Sequence, residues 1–371
     1  MMTGASYHVE VARVFSRVLV VGLGNVGELL ARLLHSAGFA VTGADLAARV
    51  SVPFPMVALD VGDPDALKAA LADTEAVVSC LPFRFNRVVA DAAVDAGVHY
   101  FDLSEDVTSA HRVAELAAGA PRAFVPGCGL APGLIAIVGA ALGRGFEELH
   151  SLELKVGALP RNPSGLLGYA FNWSPEGVVN EYLNDCEVVR DGRVRLVPAM
   201  SDLETVWIGG TQLEAFATSG GLGTMCETFA GRLDRLDYKT LRYPGHCQLM
   251  RFFFDELHLR QDRVLAGRIL VQAKPPVDDD VVYLYAAAEG VRAGLAVREQ
   301  VVRSYVPLRF DGRWWRAISW TTAASACAVV ELVAGGALPG RGLIRQEDVS
   351  YEALATTTAG RLFADSPLLA A

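Results

Sequence analysis

From Arg17 to about Pro126 the sequence alternates short, almost wholly apolar runs with longer stretches whose apolar residues recur every three or four positions. The runs RVLVVG, AVTGADL, MVALDV, AVVSCL, HYFDL and RAFVPG read as strands, and the stretches between them as amphipathic helices. This alternation predicts a doubly wound parallel sheet. Beyond Gly127 the runs lengthen and alternate polar with apolar, as in LHSLELKVGAL, CEVVRDGRVRLV, RVLAGRILVQA, DVVYLYAAAEG and AVREQVVRSYV. Period two over such lengths predicts a mostly antiparallel sheet with one wet face. After Trp320 helical spacing returns in TTAASACAVVELVAGGAL, and a turn-rich PGRGLIRQEDVS follows. The expected division is a first domain over residues 1–126, an inserted α+β domain over 127–318, and a tail over 319–371 that packs back on the first domain.

Composition narrows the function. With 371 residues, 52% of them hydrophobic and 20% charged, the protein can build two cores, and a net charge of -9 argues against a nucleic-acid partner. The uncharged run CGLAPGLIAIVGAALG is broken by glycine and proline and falls short of the roughly 18 residues of a membrane span, so it reads as a buried helix. The N-terminal MMTGASYHVEVARVFSR lacks the apolar core and cleavage site of a secretory signal, so a cytoplasmic protein is expected. Six scattered cysteines without a C-x-x-C pair predict free thiols, with no zinc site or disulfide framework.

The first strand-to-helix turn carries the strongest chemical signal. In VLVVGLGNVGELLARLLHSAGF, Gly22, Gly24 and Gly27 match G-x-G-x-x-G directly after an apolar strand and at the head of an amphipathic helix, the context of a Rossmann dinucleotide site. Asn25 and Val26 complete the turn, and the helix amides there would face a pyrophosphate. Asp45, ending the second strand, is placed to reach the ribose hydroxyls and favours NAD, while Arg49 is near enough to pair with the extra phosphate of NADP. At the same sheet edge the fourth strand delivers Ser79, Cys80, Leu81 and Pro82, and the fifth delivers Asp102, Leu103, Ser104, Glu105 and Asp106. These carboxylates fit either general bases or helix caps. The sixth strand runs into PGCGLAPGL, where Cys128, Gly129 and Leu130 approach the cofactor site; Cys128 has no adjacent activating base and reads as a packed thiol.

Seven segments in order, VGLGNVG, VVSCLPF, HYFDLSEDV, CGLAPGL, FNWSPEGVVNEY, EAFATSGGLGT and YKTLRYPGH, make the sequence resemble the saccharopine dehydrogenase-like family, which includes saccharopine reductases and lysine 6-dehydrogenases. The resemblance implies a dinucleotide-binding domain with an α/β substrate domain inserted before the final helices. It also implies NAD(P)-dependent chemistry at the carbon–nitrogen bond that ends the side chain of a lysine-like amino acid, with the FNWSPEGVVNEY region covering the substrate. Asn172 and Trp173 would then wall the pocket, with Asn172, Glu176 or Asn180 facing an amine, although a helix at a dimer interface fits the same aromatics. Ser174 followed by Pro175 and Glu176 has the order of a capped helix start. In YKTLRYPGH a guanidinium suits a substrate carboxylate, so Arg242 is the expected anchor with Lys239 in reserve; His246 is suited to proton transfer or to a structural place. Thr218 and Ser219, in ATSGGLGT, could bind the same carboxylate or merely form a turn.

A lysine ammonium, with a pKa near ~10.4, must lose a proton before hydride can leave its carbon. Asp102, Glu105, Lys155 and His246 are the candidate acceptors. The short length looks like the lysine 6-dehydrogenase type, which makes oxidative deamination of L-lysine with NAD the preferred reading, NADP remaining admissible. The alternatives are a saccharopine or carboxy-polyamine dehydrogenase and a non-catalytic dinucleotide sensor. An amino-acid substrate, no metal, and a homodimer or higher homo-oligomer complete the expectation.

Overall fold

The computed structural model describes residues 13–47 and 51–365. Arg49 and most of the N-terminal segment read above for a signal lie outside them. The six predicted apolar runs form β1 (Arg17–Val21), β2 (Ala40–Asp45), β3 (Met56–Ala58), β4 (Ala76–Ser79), β5 (His99–Asp102) and β6 (Ala123–Val125). They pair in parallel in the order β6-β5-β4-β1-β2-β3. Parallel strands need covered faces, and β1, β4, β5 and β6 are accordingly buried nearly throughout.

The second sheet contains β7 (Glu148–Pro160), β8 (Cys186–Arg190), β9 (Arg193–Val197), β10 (Glu204–Ile208), β11 (Thr211–Ala217), β12 (Arg235–Arg242), β13 (Asp280–Arg292) and β14 (Leu295–Tyr305). Its main path is β10-β11-β12-β7-β13-β14, with the β8–β9 hairpin attached to β12. Antiparallel pairs dominate as the alternation predicts, but β12 and β7 run parallel. One predicted strand is wrong: RVLAGRILVQA forms the helix Arg263–Ala273. Asp262 caps it by accepting from the Leu265 amide at 2.8 Å, and Ala266 and Leu270, four residues apart, are buried. The Asp-x-x-Leu start and the four-residue spacing outweigh the apparent alternation.

The tail returns to the first sheet. After the hairpin β15 (Leu308–Phe310) and β16 (Arg313–Trp315), helix Ala317–Ala334 packs on helix Asn25–Ser36, and β17 (Gly342–Leu343) adds to β6 in parallel. The fold is therefore an α/β Rossmann-type sheet, here seven-stranded, joined to a second mixed-sheet domain. Helix Ala317–Ala334 is long and apolar enough to cross a bilayer by length and composition, but most of it is buried inside the protein, as in a core helix. The shorter apolar helix Leu134–Gly143 is also almost wholly buried.

Candidate active site

A cavity of about 510 Å³ lies where the carboxyl edge of the parallel sheet faces the second domain. On the parallel-sheet side it is lined by Gly24, Asn25, Val26 and Gly27 after β1, by Cys80, Leu81 and Pro82 after β4, and by Leu103, Ser104 and Glu105 after β5. Leu130 also reaches it, whereas Ser79, Cys128 and Gly129 support this edge from behind. Ser79 donates to Asn86 at 2.8 Å, and the buried Cys128 thiol donates to the Asp102 carbonyl at 2.9 Å. Burial, with the nearby Asp102 charge, holds the Cys128 pKa well above the ordinary thiol range, consistent with packing rather than reactivity.

The glycine turn is built for close approach. Gly22 has φ +87°, and a Cβ on Gly27 would stand 1.9 Å from the Gly22 carbonyl oxygen, so these two keep helix and strand in contact. A Cβ on Gly24 would meet no protein atom within 4 Å, although Gly24 lines the cavity at the head of a twelve-residue helix. An open cradle at a helix N-terminus fits a pyrophosphate. Asp45 braces the turn: one carboxylate oxygen accepts from the Leu23 amide at 2.8 Å and the other from the Leu46 amide at 2.7 Å.

Strand alternation decides which second-domain residues enter the cavity. Tyr238, Thr240 and Arg242 of β12 line it, as do Val156 and Ala158 of β7. Lys239 and Lys155 fall on the opposite face. Lys239 donates to the Asp202 carbonyl at 2.6 Å and pairs with Glu204 at 3.0 Å; Lys155 pairs with Glu153 at 2.9 Å. Neither lysine meets a substrate in the cavity, which removes the reserve anchor and one candidate base.

Arg242, 3% exposed, is held by its neighbours. Its Nε donates to the Tyr182 hydroxyl at 2.7 Å, its Nη1 donates to the Leu241 carbonyl at 2.8 Å, and the guanidinium lies 4.7 Å from the Tyr169 ring centroid. Burial opposes its charge, but Tyr182, Tyr169 and Glu181 outweigh that and keep its pKa above the ordinary arginine value. The Tyr182 hydroxyl lies 3.0 Å from His246 Nε2, and His246 Nδ1 lies 2.9 Å from the Leu167 carbonyl. A carbonyl only accepts, so Nδ1 carries the proton and Nε2 accepts from Tyr182. Burial, with Arg242 close by, pushes the His246 pKa down to about 3. His246 is thus a neutral strut outside the cavity lining, and the expected proton-transfer role does not fit its position.

The acidic segment after β5 divides its roles. Asp102, expected to touch cofactor or substrate, is instead enclosed: it accepts from the Ser104 and Gly127 amides at 2.9 Å each and from the Tyr100 hydroxyl at 2.8 Å. It ties two edge loops together and lies outside the lining. Asp106 caps helix Val107–Ala117 through the Ser109 amide at 2.8 Å. Glu105 alone reaches the cavity, and burial pushes its pKa up to about 7. Replacing Asp102 by alanine strands two buried amides and a hydroxyl, so Asp102→Ala is expected to lose at least about 3 kcal/mol of stability in chemical denaturation.

Helix Pro175–Leu183 begins as predicted, with Ser174 accepting from the Gly177 amide at 3.1 Å. Asn172 and Trp173 line the cavity. Glu176 and Asn180, four residues apart, face away: Glu176 is exposed and pairs with Arg84, and Asn180 accepts from Arg263 at 2.7 Å. The amine-facing role expected of them does not fit. The same helix instead brings in Glu181, 5% exposed, which sequence reasoning missed. Counting from the Ser174 cap would have found it, because positions three, four, seven and eight onward, Gly177, Val178, Glu181 and Tyr182, form the buried stripe. Burial, opposed by Arg242, pushes the Glu181 pKa up to about 8. Arg316, at the head of helix Ala317–Ala334, is a second cavity guanidinium that went unread.

The Gly-rich loop after β11 buttresses this arrangement. Thr218 and Ser219 are buried outside the cavity lining, so the expected carboxylate contacts do not fit them. The Ser219 amide donates to the Glu181 carbonyl at 3.0 Å. A Cβ on Gly220, at φ +88°, would lie 2.0 Å from the Glu105 carbonyl oxygen, and one on Gly221 would lie 2.2 Å from the Tyr238 ring. The glycines let the loop press against both.

A glycine-turn cradle and a buried arginine sharing one cavity define a Rossmann-type protein whose second domain supplies a ligand chamber, largely apolar with a few polar and charged groups. Residues 18–125 match the family model described as the saccharopine dehydrogenase NADP binding domain, and residues 129–362 match that of the saccharopine dehydrogenase C-terminal domain. The chain belongs to the saccharopine dehydrogenase family. It is 25% identical over 310 residues to a saccharopine dehydrogenase (NADP(+), L-glutamate-forming) of Pyricularia oryzae, covering 78% of this chain and 66% of that protein. It is 28% identical over 156 residues to the Saccharomyces cerevisiae protein of the same name, covering 38% of this chain and 33% of the yeast one. These alignments thus span less than two thirds of either relative. The fold matches apo saccharopine dehydrogenase (L-Glu forming) from Saccharomyces cerevisiae with a TM-score of 0.71 at 18% identity, over 94% of this chain and 97% of that one.

Proposed function

We propose that this protein is an NAD(P)-dependent dehydrogenase that oxidises or forms the C–N bond of an amino acid, and that its substrate is a secondary amine of the saccharopine type. The single observation that carries the reading is the shared cavity, which places the Gly24 cradle and the buried Arg242 in one chamber. Gly24, Asn25, Val26 and Gly27 would hold the pyrophosphate; the dinucleotide supplies the hydride chemistry. Arg242 would hold a substrate carboxylate, and Arg316, whose Nε and Nη2 donate to Asp278 at 3.1 and 2.8 Å, keeps Nη1 for a second one, which favours a substrate bearing several carboxylates over lysine itself. The relatives named above point the same way, since each is called a saccharopine dehydrogenase. L-Lysine 6-dehydrogenase, preferred on length, is the weaker form of this proposal. Turnover of saccharopine and of L-lysine, each with NAD and with NADP, separates the two: glutamate as product supports the proposal, and ammonia from lysine supports the other form.

Cofactor preference is tested at Asp45. Because its carboxylate both braces the Leu23 amide and repels a ribose phosphate, Asp45→Ser is expected to weaken NAD binding by about tenfold and to shift the preference toward NADP. Fluorescence titration with both reduced dinucleotides checks it; equal affinities before and after would remove Asp45 from the site. A cytoplasmic homodimer and the domain limits at residues 126 and 318 also belong to the proposal, to be checked by cell fractionation, analytical ultracentrifugation and limited proteolysis.

A further inference from the structure

Two carboxyl groups in the cavity, Glu181 and Glu105, lie in the lining without a direct ion pair among the described residues. The two guanidinium groups of the same chamber are engaged elsewhere, Arg242 by Tyr182 and the Leu241 carbonyl and Arg316 by Asp278. Glu105 comes from the edge of the parallel sheet and Glu181 from the second domain, yet they meet on one helix face. A Cβ on Gly177 would stand 2.4 Å from Glu105 Oε1, and Glu181 lies four residues, a rise of about 6 Å, further along the same helix face. The Gly-rich loop holds both from behind, through the Ser219 amide on the Glu181 carbonyl and the close passage of Gly220 past Glu105. A buried acid without a partner is costly, so such a pair persists where a ligand supplies the missing charge.

We propose that Glu181, with Glu105 beside it, is the proton acceptor at the substrate nitrogen, so that the site takes a substrate whose reacting nitrogen arrives as a cation while its carboxylate rests on Arg242. The inference rests on the dehydrogenase reading above. In the oxidative direction the Glu181 carboxylate takes one proton from the secondary ammonium, forming an O–H bond and freeing the nitrogen lone pair. The adjacent C–H bond then breaks with its electron pair passing as hydride to the oxidised nicotinamide dinucleotide, and the lone pair forms the C=N bond of an iminium. The substrate loses two electrons, the dinucleotide gains them, and the proton stays on Glu181 until it exchanges with solvent. Glu105 is the second acid through which that proton can leave, as it is half-buried where Glu181 is buried.

Besides burial, two charged groups set this titration, Arg242 from β12, which favours the carboxylate, and Glu105 from the loop after β5, which opposes it. Tyr238 on β12, Tyr169 before the helix, Tyr182 on the helix and Cys186 on β8 also face Glu181, whose charge adds to the upward shift that burial causes in each of them. Burial places the Glu181 transition near pH 8, so oxidation should rise with pH through that region.

The test begins with wild-type turnover of saccharopine or another amino-acid amine; absence of any dinucleotide-dependent turnover overturns the dehydrogenase reading, not the assignment of Glu181. With turnover in hand, Glu181→Gln is expected to lose about 100-fold or more in kcat/KM, to lose the ascending limb near pH 8, and to bind reduced dinucleotide as wild type does. A second readout needs no catalysis. Calorimetric binding of the amino acid to the dinucleotide-free protein at neutral pH, in buffers of different ionisation enthalpy, should release close to one proton in wild type and none in Glu181→Gln. Activity within threefold of wild type with the limb intact, or unchanged proton release, overturns the proposal. Should Glu181→Gln fail to fold, Glu181→Asp replaces it: the limb kept with kcat down about tenfold or more supports the assignment, and unchanged kcat refutes it.

Discussion

Arg242→Lys is expected to raise the substrate KM by about 100-fold while leaving dinucleotide affinity within about twofold of wild type. The guanidinium does three things that an ammonium cannot do at once. It donates Nε to Tyr182, lies against the Tyr169 ring, and keeps further N–H groups for a ligand carboxylate. A charge-assisted pair of this kind contributes about 1.5–3 kcal/mol, which sets the scale of the loss. Lysine also leaves the Tyr182 hydroxyl without its donor and so loosens the strut that ends at His246. Initial-rate kinetics and dinucleotide titration on the same preparation separate the two affinities. A collapse of dinucleotide binding with KM unchanged would assign Arg242 to the other half of the chamber.

Gly24→Ala should leave the melting temperature unchanged and weaken dinucleotide binding by at least about tenfold, or ~1.4 kcal/mol. The two halves of that outcome come from one observation. The added methyl meets no protein atom within 4 Å, and Gly24 already has φ -66°, so folding does not resist it. The same open space is where a pyrophosphate would approach the helix amides, so a methyl there holds it off. Thermal denaturation with fluorescence titration is sufficient. A large fall in melting temperature, or unchanged affinity, would show that the space above Gly24 is not the phosphate cradle.

Much of the fold was legible because its two periodicities are clean: apolar strands with a glycine turn specify the parallel sheet, and alternation specifies most of the second one. RVLAGRILVQA misled because Leu265, Ile269, Val271 and Ala273 fall on one set of alternate positions and mimic period two, while the cap at Asp262 that settles the matter lies one residue upstream. Within the site, Arg242 was readable from the chemistry of a guanidinium. Lys239 and Lys155 were not excluded because sequence chemistry was weighed without asking which face of the strand each occupies; Lys239 and Arg242 differ by three residues and therefore point oppositely. Asp102 and His246 were readable as polar residues at useful positions, but only three-dimensional contacts show their bonds turned to backbone groups and to buried tyrosine hydroxyls. Glu181 was hidden by the more conspicuous Glu176, although the helical stripe favours the later residue.

The central claim, that one chamber unites a dinucleotide with an amino-acid amine, is tested most directly by following reduced-nicotinamide absorbance with purified protein, oxidised dinucleotide and saccharopine, with glutamate quantified in the same samples. The account predicts that reduced dinucleotide and glutamate appear in equal amounts, and that both are lost together in Arg242→Lys at substrate concentrations near the wild-type KM. Dinucleotide binding without turnover of saccharopine, L-lysine or any other amino-acid amine would contradict it.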